Sequence, residues 1–325
     1  MYTDTVIEEK LVHKPKFLGI FLGVVFVILF ALNLADTIFG HFLTPVIGDP
    51  AQSGLYGRFA VALVLGILFT LNIFAIGFLP TPIQSLVVWL ELAVFFVSGF
   101  HIFNLSLEFI QSQLWFLLSR GLFTTIYVSA ISIVLAFIVA MVGAIAKLSG
   151  NGFAHGIASF YTSLFRALPL LLLIYLVYLG LPQMGYVIDA VPAGILALTL
   201  NYGAFMTEVF RAGIESIPPG QWEASRSLGF TFGPTMRRII LPQAIPVIIP
   251  PTGNSFISML KDSSLISVIG VWELMFLART LGQKTFQHME MLITVAMIYW
   301  ALTIVMEAIQ RRLESHYRTV KVNKA

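Results

Sequence analysis

Between Gly213 and Arg238 the chain reads GIESIPPGQWEASRSLGFTFGPTMRR, a polar stretch set between long apolar runs. Pro218 and Pro219 suit the opening of a short helix, where a missing amide hydrogen leaves no partner unsatisfied. Gly229 suits its end, where a left-handed residue is needed. Between them Trp222 and Arg226 fall at i and i+4, and Glu223 lies on a neighbouring face. The chemistry on offer is docking rather than bond-making: a carboxylate and apolar groups on two helical turns form a handle for a partner. A solvated connector between two helices is the alternative.

A second set of charges lies near or inside apolar runs, where each costs about 2.5–3.5 kcal/mol at the centre of a membrane span, so depth decides its meaning. Arg166, Glu208 and Arg211 lie near the ends of such runs, where long side chains reach the headgroups. They read as ion pairs or interfacial anchors, with a role in a polar path as the alternative. Lys261 and Asp262 fall at the far end of another run, either lining a path, pairing with each other or capping the next helix. Glu91 reads as a packing group, or as the partner of a neighbour such as His101, about three helical turns away. Cysteine is absent, which removes disulfides and thiol chemistry. No GxxxxGK[ST] phosphate loop and no histidine or carboxylate cluster with metal spacing is present. Nothing converges as a catalytic centre would.

The elements that must position these residues are membrane helices. A chain of 325 residues that is 58% hydrophobic and 11% charged cannot hide its apolar surface inside a water-soluble fold of this size. A net charge of +3 fits basic residues flanking spans and gives no reason to invoke nucleic acid. Uncharged runs long enough to cross the roughly 20-residue hydrocarbon core occur at Phe17–Leu34, Phe59–Leu79, Thr125–Ala146 and Ile239–Leu260. Four more, at Leu86–Phe103, Ala167–Leu181, Val187–Met206 and Met291–Met306, hold or adjoin single charges. None alternates like a barrel strand, so the expectation is an all-α integral membrane protein of about eight spans. The first run reads as a retained span rather than a cleavable signal. With both termini in the cytoplasm, 14 of the 19 Lys and Arg residues fall on the cytoplasmic side, which the positive-inside rule favours. That orientation puts 213–238 in the cytoplasm. Trp89, Trp115, Trp272 and Trp300 suit the interfaces. A boundary near Gln111–Leu117 divides a region 1–110 with three spans from a region 111–325 with five.

Spacing separates the two readings of the loop. Glu223-Ala224-Ser225, three residues, Gly229, nine residues, Ile239, one residue, then Leu241-Pro242 match the pattern EAA-x3-G-x9-I-x-LP. In this the chain resembles the permease subunits of ATP-binding-cassette importers, departing only by Ser225 for the second alanine. Phe165–Leu171 is similar to that family's FRGTPLL, Glu208–Ile214 to ExxRGGI with Ala212 in place of the first glycine, and Lys261–Leu265 to KDTSL. The likeness covers about 117–320 and points to the polar amino acid branch.

The resemblance implies a type I importer core of five helices with three added in front, in a bacterial cytoplasmic (inner) membrane. It implies a cytoplasmic ATPase dimer that uses ATP and Mg, a second permease of the same or a sister chain, and an extracytoplasmic solute-binding protein. This chain would hold no cofactor and catalyse nothing. Glu223, Ala224, Ser225, Gly229, Ile239, Leu241 and Pro242 would form the ATPase-coupling loop. Arg166, Glu208, Lys261 and Asp262 are the candidates for the translocation path, since a zwitterionic amino acid needs both a cation and an anion. An ion-coupled secondary transporter and a non-transporting sensor built on a permease fold are the alternatives.

Overall fold

The structure is a computed structural model that describes residues 14–102 and 105–322, with the side chains of 38, 99–102 and 316–322 excepted. All regular elements among the described residues are helical. The chain separates into two compact units, one ending at Leu105 and the other starting at Ser106.

The first unit contains α1 (Pro15–Leu32), the shorter α2 (Ile38–Ile47), α3 (Gly54–Gly77) and α4 (Thr81–Ile102). Helices α1, α3 and α4 are long and apolar enough to cross a membrane. Each follows from a long apolar run, interrupted in α4 by Glu91, in which the backbone must satisfy its own hydrogen bonds once water is absent.

The second unit starts with α5 (Leu107–Phe116), which continues through a wider π turn at Leu117–Leu122 into α6 (Phe123–Leu148). Together they make one continuous helical segment of 42 residues, Leu107–Leu148, apolar enough to cross a membrane. Next, α7 (Gly152–Ala167) and a segment from α8 (Leu170–Tyr175) to α9 (Leu181–Gln183) meet at 108°. Pro169 causes the break, because it cannot donate to the helix ladder and holds Leu168 extended, at ψ 133°. The run expected as Ala167–Leu181 is therefore half of a bent pair.

Helix α10 (Ala190–Glu215) begins after Asp189, which flanks the span instead of lying within it as the hydropathy suggests. After it come α11 (Pro219–Ser227), α12 (Phe232–Thr235) and α13 (Leu241–Asp262), which stays helical through Pro246, Pro250 and Pro251. A 3-10 turn carries that helix on to Ile269, and α14 (Leu274–Thr285) follows at 50°. Buried Glu273 holds this second bend. Its carboxylate accepts from the Met275 and Phe276 amides at 2.8 and 2.7 Å and from the Tyr299 hydroxyl at 3.0 Å. Tyr299 belongs to the last helix, α15 (His288–Val322). Counting each bent pair as one span gives up to eight, three in the first unit and five in the second.

The core lies between α6 and α10. Ala136, Ala140 and Ala144 of the first and Ala193, Ala197 and Ala204 of the second are fully buried. Small residues let two helices approach closely where hydrophobic expulsion from water cannot drive them together.

Candidate functional site

Helix α11 forms where the paired prolines place it, with Pro219 in its first turn. Its end is a Schellman motif. Gly229 takes φ +78°, its amide donates to Arg226 O at 2.9 Å, and the Phe230 amide donates to Ser225 O at 3.1 Å. The loop is pinned to the unit at three points. Trp222, half-buried, stacks on Phe232 with ring centroids 6.4 Å apart. The Ser225 hydroxyl is buried and bonds the Thr235 hydroxyl at 2.6 Å. Gln243 of α13 donates to Gln221 at 3.2 Å. Ile239 and Leu241 pack against the core, whereas Glu223, Ala224 and Pro242 are exposed. The arrangement is a rigid, outward-facing handle.

The departures from the family's spacing have physical reasons. Serine stands in for alanine at 225 because Thr235 supplies a partner for its hydroxyl. Ala212 is exposed, so a methyl group costs nothing there, but a Cβ on Gly213 would come within 2.6 Å of Ile248. Only the second of the two positions has to be glycine.

The four path candidates do not converge on one site. Glu208 has both carboxylate oxygens engaged, one by Lys147 of α6 and the other by Arg211 at 2.9 Å, and Arg211 also reaches Glu215 at 2.6 Å. Arg166 is exposed, its guanidinium 5.4 Å from the Phe205 ring centre. Asp262 accepts from the Tyr202 hydroxyl at 2.6 Å rather than pairing with Lys261. Lys261 and Asp262 are the last two residues of α13, at the far end of the run as expected, and the 3-10 turn carries the segment on from there to Ile269.

Lys261 lines a polar groove of about 530 Å³ between α13 and α15, with Asn254, Ser258, Glu307, Arg311 and Glu314. Gln310 bridges its walls, donating to Pro250 O at 3.3 Å, Asn254 Oδ1 at 2.9 Å and Glu314 Oε1 at 2.7 Å. Both signs of charge face one volume, and within it Arg311 pairs with Glu307 at 3.7 Å. Sequence reading missed it, although Asn254, Ser258 and Lys261 recur at i, i+4 and i+7, and Glu307, Gln310, Arg311 and Glu314 make the matching stripe.

A family model described as "Binding-protein-dependent transport system inner membrane component" matches residues 133–319. The L-cystine transport system permease protein of Bacillus subtilis (strain 168) is 37% identical over 214 residues, 64% of this chain and 92% of that protein. The arginine transport system permease protein of the same organism is 37% identical over 218 residues, 66% and 99% of the two chains. A crystal structure of an amino acid ABC transporter with histidines aligns at a TM-score of 0.61 and 34% identity, covering 65% of this chain and 99% of that one. The MetNI methionine ABC transporter in an inward-facing conformation aligns at 0.56 with 22% identity, covering 63% and 98%, a likeness of fold.

Proposed function

Because the chain belongs to the family of inner membrane components of binding-protein-dependent transport systems, we propose that it is the permease subunit of an importer that moves polar amino acids, driven by a separate ATPase through α11. The observation that carries this reading is the loop 213–238. A nine-residue helix in the family's register stands out from the unit with Glu223 exposed, while Ser225 and Trp222 tie it to α12 and Gln221 to α13. A handle of that kind transmits a rigid-body displacement rather than absorbing it. ATP and Mg act on the partner ATPase, which sits with α11 in a cleft. Both termini and the loop face the cytoplasm of a bacterial inner membrane. An extracytoplasmic binding protein delivers the solute, and a second permease, a copy or a sister chain, completes the path.

What supports the substrate class is that relatives are named for L-cystine and arginine transport and that the α13–α15 groove carries both signs of charge. Lys261, which has no ion-pair partner among the described residues, meets the solute's carboxylate and Glu314 its ammonium, while Glu307 and Arg311 pair with each other. Glu208 and Arg166 serve the fold near the ends of their helices.

The test is uptake of radiolabelled polar amino acids by cells with and without the gene, and by cells carrying Glu223→Lys. Uptake falls to background in the deletion and in the variant, with the variant's membrane level unchanged. Normal uptake by Glu223→Lys at normal level would sink the coupling assignment.

A further inference from the structure

The first unit holds a carboxylate that the importer mechanism does not use. Glu91 lies midway along α4, about 15 Å of helix from Thr81, which is near the middle of a hydrocarbon core roughly 30 Å thick. None of the Thr81–Ser98 span is buried. Asn72 of α3 donates to Glu91 Oε1 at 2.8 Å. Among the described residues Oε2 has no donor, and no cation pairs with Glu91. The side chain of His101 lies outside the described residues. Beside the Asn72 bond, Phe39 of α2 with Val87, Val94, Phe95 and Ser98 of α4 line a groove of about 490 Å³ that is apolar apart from Glu91 and Ser98.

Two independent features of α4 describe what fills that groove. Gln84, Val87, Glu91, Val94 and Ser98 recur at alternating steps of three and four residues, the repeat by which one helix packs along another. A carboxyl group at mid-depth needs polar partners for both oxygens, and its charged form a neutralising cation. Lipid tails bring neither, and headgroups lie about 15 Å away. A further helix that crosses the membrane can bring both. We propose that the α4 seam centred on Glu91 docks a transmembrane helix of another chain, one that carries a basic side chain near its middle.

The experiment uses the full chain in phospholipid vesicles. The chain has no cysteine, so Ser85→Cys, off the seam, gives a single position for a fluorescent donor. The acceptors are synthetic Leu/Ala helices of about 20 residues with either a central lysine or a central leucine. The lysine peptide binds roughly threefold to tenfold more tightly than the leucine peptide, the worth of one polar contact between helices. Glu91→Leu abolishes the preference. Glu91→Gln, which keeps the Asn72 bond and so guards against a folding artefact, also reduces it. Equal affinity for the two peptides overturns the proposal, as does a preference that survives both variants. Energy transfer between two labelled copies of the chain that is lost on Glu91→Leu also overturns it, in favour of self-association through this seam.

Discussion

In the Ala190–Glu215 span 61% of the most apolar window is buried within the protein, whereas in Pro15–Leu32 and Thr81–Ser98 none of it is. Both kinds of helix are apolar enough to cross a bilayer, but they meet different neighbours. The buried span carries Ala193, Gly194, Ala197, Gly203 and Ala204, and its surroundings are other helices. The exposed spans carry Leu, Val and Phe outward, a surface suited to lipid or to another membrane helix. Apolarity therefore reports depth in the membrane, and the distribution of small residues reports which helices pack. Substitutions in the two units should differ accordingly.

The largest effect is expected at the α6–α10 core. Leu198 is fully buried, and Leu198→Ala removes packing that its neighbours cannot easily restore, at about 2–5 kcal/mol. Thermal unfolding of the detergent-purified chain reads this as a marked drop in Tm. An unchanged Tm would mean that burial in this unit does not carry its stability. Next comes Gly213→Val, which drives a branched side chain into Ile248 and costs about 1–3 kcal/mol. Ala212→Val, one residue away but exposed, is the control and leaves Tm nearly unchanged. Equal losses at the two positions would mean that the contact with Ile248 does not set the Ala-Gly order.

How much of this was legible in the sequence divides along the same line. All eight expected runs lie in or overlap the helices and bent pairs, because crossing a membrane demands long apolar stretches that composition displays directly. The end of α11 was legible as well, since few residues other than Gly229 accept φ +78°. Relations between helices were not. Helix α5 extends the first span of the second unit well before Thr125, although Arg120 interrupts its apolar run. Helix α14 had no expected counterpart, because half of a bent span is too short to stand out. Lys147 lies 61 residues from Glu208, and Asn254 56 from Gln310, so no local spacing announces either contact.

A smaller effect is expected at the boundary between membrane helices and loop. Ser225→Ala restores the family's second alanine but strands the buried Thr235 hydroxyl, at about 1 kcal/mol. Replacing both partners, Ser225→Ala with Thr235→Val, recovers most of that loss, because no polar group is then left unpaired. A double variant less stable than Ser225→Ala alone would show that the Thr235 hydroxyl has another use.

The smallest effect should come from repeating the first substitution in the other unit. Leu92 on α4 is 59% exposed and off the Glu91 seam. Leu92→Ala leaves no cavity, since acyl chains are fluid and close over the shortened side chain, so the change in Tm corresponds to less than about 0.5 kcal/mol. The chemical change is the same as in Leu198→Ala, so the ratio of the two Tm shifts isolates packing from hydrophobicity. A Leu92→Ala loss approaching that of Leu198→Ala would mean that protein, not lipid, covers the outer face of α4. The contrast between the two units would then reflect a partner missing from the single chain rather than two ways of meeting the membrane.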